Sequence, residues 1–207
     1  MRMNGAWSAP LPLTALALVA AGAALAAQAP QPGGGQAAAG PARTPPLIMT
    51  STAWEDGGVI PDKYTQAAGP TAPSPELKWS QVPPGTQSFV LLMHDPEPVL
   101  NKGSKMDITH WLVWNIPGTS TGLPEGVAQG ELPDGTRQVS LRSNAYMGPG
   151  APAGPYHHYT FELYALDTKL TVPQGTPQQA AATRTAVFDA MDGHVLGKAV
   201  LVARFHR

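Results

Sequence analysis

Between positions 47 and 207 the apolar residues come in short runs that Pro and Gly repeatedly interrupt, which leaves strands as the main building element. Ser88-Phe89-Val90-Leu91-Leu92-Met93 and Trp111-Leu112-Val113-Trp114-Asn115-Ile116 are two such runs. Residues 159–166 alternate. Tyr159, Phe161, Leu163 and Ala165 fall on one face, and Thr160, Glu162, Tyr164 and Leu166 on the other. Apolar side chains lie on both faces, so this strand is expected to be covered on both sides. One helix is predicted near the end. Thr176 is its N-cap, Pro177 its first residue and Gln179 the third residue after the cap, while Ala180, Val187, Phe188 and Met191 recur at helical spacing and Gly193 stops it. Residues 195–205 then read as a closing strand. No repeat period is present and no helical patterns alternate with the strands, which disfavours a doubly wound parallel sheet. The pattern predicts a mainly β protein: an antiparallel β-sandwich with small peripheral helices.

The chain of 207 residues also carries a segment that does not belong to this fold. Residues 11–27 are rich in Ala and Leu, follow a positive charge at Arg2, and are shorter than the ~20 residues a membrane-crossing helix needs. With Ala24-Leu25-Ala26 as a small-x-small site, residues 1–26 are expected to be a signal peptide, the alternative being an uncleaved membrane anchor. Residues 27–46 are mostly Gln, Ala, Gly and Pro, a composition unable to offset its own ordering entropy, and are expected to form a flexible linker. The folded domain is then 47–207, with a periplasmic or secreted location. There is no Cys, so disulfides, thiol catalysis and Cys-ligated metals are excluded. A net charge of -1 argues against a nucleic-acid partner.

Polar groups gather where strands begin or end, the usual place for a site on a rigid scaffold. Asp95 ends an apolar run and precedes Pro96, which places its carboxylate at a sheet edge or mouth unless it simply forms a turn. His110 precedes an apolar strand and is either a ligand or a packed, hydrogen-bonded residue. In the stretch from Gly148 to Tyr159, period two puts His157 and Tyr159 on one face and His158 on the other. The Gly and Pro residues before them make a stiff loop whose backbone N–H groups could approach an anion. Trp79, Trp111, Trp114 and Met191 are expected in the core. His194 is expected to cap the helix or pack locally, and His94 and His158 to be exposed.

Taken together, Ser74-Pro75-Glu76-Leu77-Lys78-Trp79, Val82-Pro83-Pro84-Gly85-Thr86, Met93-His94-Asp95-Pro96-Glu97, the stretch from His110 to Pro117, and Ala190-Met191-Asp192-Gly193-His194-Val195-Leu196 resemble the phosphatidylethanolamine-binding protein family. The likeness is to its bacterial Raf-kinase-inhibitor-like branch. It implies a β-sandwich and a preformed pocket for a small anion, phosphate-like or acetate-sized. By motif, the ligand-binding residues would be Asp95, His110, His157 and Tyr159, with Gly148, Gly150 and Pro152 lining the loop. The chain departs from the family pattern in having Glu97 in an Asp-Pro-Asp motif and Ala151 where a Pro is common. The connection from Pro98 to Asp107 shapes the rim.

The resulting expectation is an exported small-anion-binding protein without a cofactor. His110, His157 and Tyr159 would donate to the anion, while Asp95 fixes an imidazole tautomer. Two alternatives are set against it. Asp95, His110 and His157 have the composition of a two-His, one-carboxylate metal site, although no compact ligand pair marks one and the resemblance implies no required metal. A serine hydrolase is disfavoured, because there is no G-x-S-x-G elbow and neither Ser140 nor Ser143 has an evident base. Because relatives are linked to kinase regulation and protease inhibition, a protein partner in the cell envelope is the other alternative.

Overall fold

The computed structural model describes residues 45–98, 102–103 and 107–207. The expected signal peptide, and the expected linker up to residue 44, lie outside the described residues. In chain order the strands are β1 Ile48–Thr50, β2 Gly58–Val59, β3 Leu77–Ser80, β4 Ser88–Asp95, β5 Ile108–Pro117, β6 Gly122–Leu123, β7 Arg137–Val139, β8 His157–Leu166 and β9 Val195–Phe205. The helix α1, Ala180–Ala190, lies between the last two. Two sheets result, a 3-stranded one in the order β1-β3-β6 and a 6-stranded one in the order β2-β9-β8-β4-β5-β7. Every pairing is antiparallel except that of β2 with β9.

The alternation of β8 explains the layering. Phe161, Leu163 and Ala165 join Phe89, Leu91, Met93, Trp111 and Val113 in a core facing the small sheet, which contributes Met49, Leu77 and Trp79. On the opposite face Val90, Leu92, Leu112, Trp114 and Leu166 pack against Ala180 and Val187 of α1 and against Met191 just after it. The large sheet is therefore covered on both sides, as the pattern of β8 predicts. Trp79, Trp111 and Trp114 are buried, as expected. Thr176 and Pro177 open the helical segment as predicted, but its first turn is a 3-10 turn, Pro177–Gln179, and Gln179 accepts from the Thr176 backbone N–H at 3.2 Å. Gly193 stops it with φ 80°. His194 is exposed rather than packed locally, and its Nδ1 faces Asp167, 27 residues away in sequence, at 2.7 Å.

His94 departs from expectation. Its position in β4 points it to the helix side, where its Nδ1 meets Asp107 at 2.6 Å. Glu162 lies at 3.6 Å from its Nε2, Arg184 of α1 pairs with Asp107, and Lys198 reaches Glu162 at 2.9 Å. The result is a line of charges crossing α1, β4, β8 and β9. Burial alone would lower the His94 pKa, but the hydrogen bond to Asp107 and the nearby Glu162 carboxylate outweigh it and raise the pKa to about 9. A raised pKa makes the contribution of His94 complete below its ordinary value and lost as pH rises through about 9. The denaturant midpoint of wild type is accordingly expected to fall between pH 7 and 10 by more than that of His94→Gln. Parallel slopes in the two proteins would show that the fall comes from other groups.

Candidate functional site

Three neighbouring central strands bring their polar ends together. Asp95 is the last residue of β4, His157 the first of β8, and His110 lies near the start of β5. Because β4 is antiparallel to both neighbours, a chain end on one strand faces a chain start on the others. Asp95, His110, His157, Tyr159, Gly150 and Pro152 all line one cavity of about 190 Å³. Gly148 instead lines an adjoining cavity of about 430 Å³. In the connection from Pro98 to Asp107, residues 99–101 and 104–106 lie outside the described residues.

The hydrogen bonds determine which atoms remain available. His157 Nδ1 lies 2.8 Å from Asp95 Oδ2 and donates to it, leaving Nε2 as the ring nitrogen not engaged by Asp95. This is the tautomer-fixing role expected of Asp95. Burial pushes the Asp95 carboxyl up, against the bond from His157, while Glu97 N–H donates to its Oδ1 at 3.1 Å. Tyr159 is buried and its ring meets that of His110 edge-on, with centroids 5.0 Å apart. Burial, and then the Asp95 charge, raise its pKa.

His110 differs from the expected donor. Its Nδ1 lies 2.8 Å from the Met147 carbonyl, which only accepts, so Nδ1 carries the proton. Burial pulls its pKa down to about 4. In the pH range of most ligands His110 is neutral, and its Nε2 is an acceptor.

The loop glycines also differ from expectation. Gly150 N–H donates to the Tyr159 hydroxyl at 3.2 Å rather than standing free for an anion. Ala151 N–H does the same at 3.1 Å, a bond that the Pro common at this position in the family pattern could not make. The other departure from that pattern, Glu97, accepts the His158 backbone N–H at 2.9 Å and faces its ring at 2.6 Å. His158 is half exposed and points away from the cavity, as period two requires. Gly148 is needed for packing, because a Cβ there would meet Tyr64 O at 2.6 Å and Thr65 Cα at 2.9 Å. Both are backbone atoms and cannot step aside. Gly148→Ala is expected to destabilise the fold by about 1–3 kcal/mol, measured by urea unfolding. An unchanged midpoint would show that the 62–68 segment yields.

Two polar wall residues, Gln66 and Arg142, were not singled out from the sequence. Gln66 follows a 3-10 turn, Asp62–Tyr64, and its N–H donates to Pro149 O at 2.8 Å, which docks the segment on the loop. Its Nε2 donates to Gly148 O at 2.9 Å, and its Oε1 accepts from Arg142 Nη1 at 3.1 Å. These partners are 82 and 76 residues distant in sequence, so no local pattern marks them.

The alternative chemistries fare differently. Among the described residues, Asp95, Glu97 and His157 place ligand atoms within 4.8 Å of one another, whereas His110, part of the set expected from sequence, stands outside this group. Ser140 donates to Ser143 O at 2.9 Å and lies 3.3 Å from Ser143 Oγ. Neither hydroxyl is hydrogen-bonded to an imidazole or carboxylate among the described residues.

Comparison with known proteins identifies the family. The phosphatidylethanolamine-binding protein family model matches residues 50–206. A UPF0098 protein of Methanothermobacter thermautotrophicus is 42% identical over 164 residues, covering 78% of this chain and 99% of that protein. The crystal structure of a phosphatidylethanolamine-binding protein homologue from Chlamydia trachomatis superposes with a TM-score of 0.65 at 30% identity, over 78% of this chain and 98% of the other. YbcL of Escherichia coli does so with a TM-score of 0.62 at 26% identity, over 78% and 98%. The match of the family model over the two-sheet domain, and the relatives that span the same segment, establish that the chain belongs to the phosphatidylethanolamine-binding protein family.

Proposed function

We propose that this chain is an exported protein that binds a small oxyanion, a phosphate or phosphoethanolamine-like group, in the cavity formed by Asp95, His110, His157 and Tyr159. The observation that carries the reading is the mixed polarity of that cavity. Arg142 is a cation on its wall, His157 offers an N–H when charged, and neutral His110 offers a lone pair. An acceptor beside donors suits an oxyanion that still carries one proton, because the ligand O–H then donates to His110 Nε2 while its other oxygens accept. Acetate at neutral pH has no such proton. Export is supported by the apolar run at 11–27 and the small residues after it.

Calorimetric titration of the full chain with inorganic phosphate, phosphoethanolamine and acetate between pH 5.5 and 8 tests this. Phosphate is expected to bind more tightly than acetate. A phosphomonoester loses its last proton with a pKa of about 6, whereas inorganic phosphate keeps one through pH 8. The affinity for phosphoethanolamine is therefore expected to fall relative to that for phosphate as pH rises. A constant ratio would remove His110 as an acceptor, and no binding of any of the three would overturn the proposal.

A further inference from the structure

The cavity of about 190 Å³ is smaller than the roughly 300–1,000 Å³ usual for a small-molecule site, and it does not stand alone. Gln66, Arg142 and Met147 line it on one side and line the adjoining cavity of about 430 Å³ on the other. The Arg142–Gln66 hydrogen bond thus forms part of the wall shared by the two spaces. The larger space has a distinct chemistry. Thr71, Gln129 and Ser143 bring hydroxyl and amide groups to it, Ala72 and Val127 bring small apolar surface, and Arg142 is the only charged residue among those lining it. A third cavity, of about 550 Å³, is lined instead by Ile116, Leu123, Pro124, Leu132 and Pro133 together with a carboxylate, Asp134.

We infer that the two adjoining cavities form one composite site for a phosphorylated polyol, with the phosphate in the smaller chamber and an uncharged, hydroxyl-rich body in the larger. This rests on the anion reading and adds the class of molecule. Hydroxyl and amide walls reward a body that can donate and accept at several points, since each polar wall group desolvated without a partner weakens binding. An acyl chain would cover Thr71 and Gln129 without offering either a partner. A second anionic group would find Arg142 already shared with the phosphate.

The test compares inorganic phosphate, phosphoethanolamine and glucose 6-phosphate by calorimetry on the full chain at pH 6. Glucose 6-phosphate is expected to bind about tenfold more tightly than phosphate. Ala72→Phe places bulk in the larger chamber alone, and is expected to cancel that gain while leaving phosphate affinity within about twofold. Gln129→Trp, at an exposed position on the same wall, gives the same comparison if Ala72→Phe fails to fold. Equal affinity of wild type for the sugar phosphate and phosphate overturns the composite site and leaves the anion reading intact. A gain retained in the variants, or one for phosphoethanolamine that matches that for the sugar phosphate, also overturns it. Failure of phosphate itself to bind overturns the anion reading and this inference with it.

Discussion

His157→Ala is expected to weaken phosphate binding by about 100-fold at pH 6, or about 2.7 kcal/mol. Two losses combine in that figure. The imidazole N–H toward the anion disappears, a charge-assisted hydrogen bond worth about 1.5–3 kcal/mol. Asp95 is also left with its charge facing the cavity and without the imidazole at 2.8 Å that neutralises it. Burial already raises the Asp95 carboxyl, so the variant is expected to take up a proton there at higher pH than wild type. Calorimetry with phosphate measures the first effect, and carboxyl titration by NMR the second. Arg142→Ala serves as the contrast. Its exposed guanidinium is screened by salt and is expected to contribute less than about fivefold. Binding of the His157 variant within threefold of wild type would place the anion elsewhere.

The largest expected effect on stability lies away from the cavity. Asn115 has φ 59° and sits at a bulge, where Phe89 pairs with Ile116 but Leu91 pairs with Val113. Its side chain substitutes for a strand partner. Nδ2 donates to Leu170 O at 2.9 Å, and Oδ1 accepts from Leu170 N at 2.8 Å. Asn tolerates the left-handed region better than other side chains do, and a β-branched residue tolerates it worst. Asn115→Val is expected to cost about 3–4 kcal/mol in urea unfolding, from backbone strain together with two buried groups left unpaired. Asn115→Gly relieves the backbone and loses only the bonds, so it is expected to cost about half as much. Equal losses in the two variants would eliminate the backbone contribution.

The long strands were legible in the sequence because their apolar patterns extend over many residues. β8 was readable from the alternation of Tyr159 through Leu166, and β9 agrees with the expected 195–205. β2 and β6 have two residues each, too few to carry a period. Asp95, His157 and Tyr159 were recoverable because strand ends and period two fix where their side chains go. The acceptor state of His110 was not, since it depends on the carbonyl of Met147, and a backbone oxygen leaves no trace in residue identity. Gln66 and Arg142 meet across 76 residues through turns with no hydrophobic repeat. His94 ends an apolar run and reads locally as a surface residue; its burial is produced by Asp107, Glu162 and Arg184, which come from other elements.

The placement of the pocket residues on β4, β5 and β8 bears on how long the protein survives. These strands are interior members of the 6-stranded sheet, so amides there are expected to exchange only when the whole domain opens. An occupant held by them binds the folded chain and not the unfolded one. It therefore raises the stability of the entire domain in proportion to the logarithm of its concentration. Proteolysis of the opened chain slows by the same factor where opening is fast relative to cleavage. For such an occupant, the free concentration would govern turnover as well as occupancy, and an unliganded pool would be cleared faster than a liganded one.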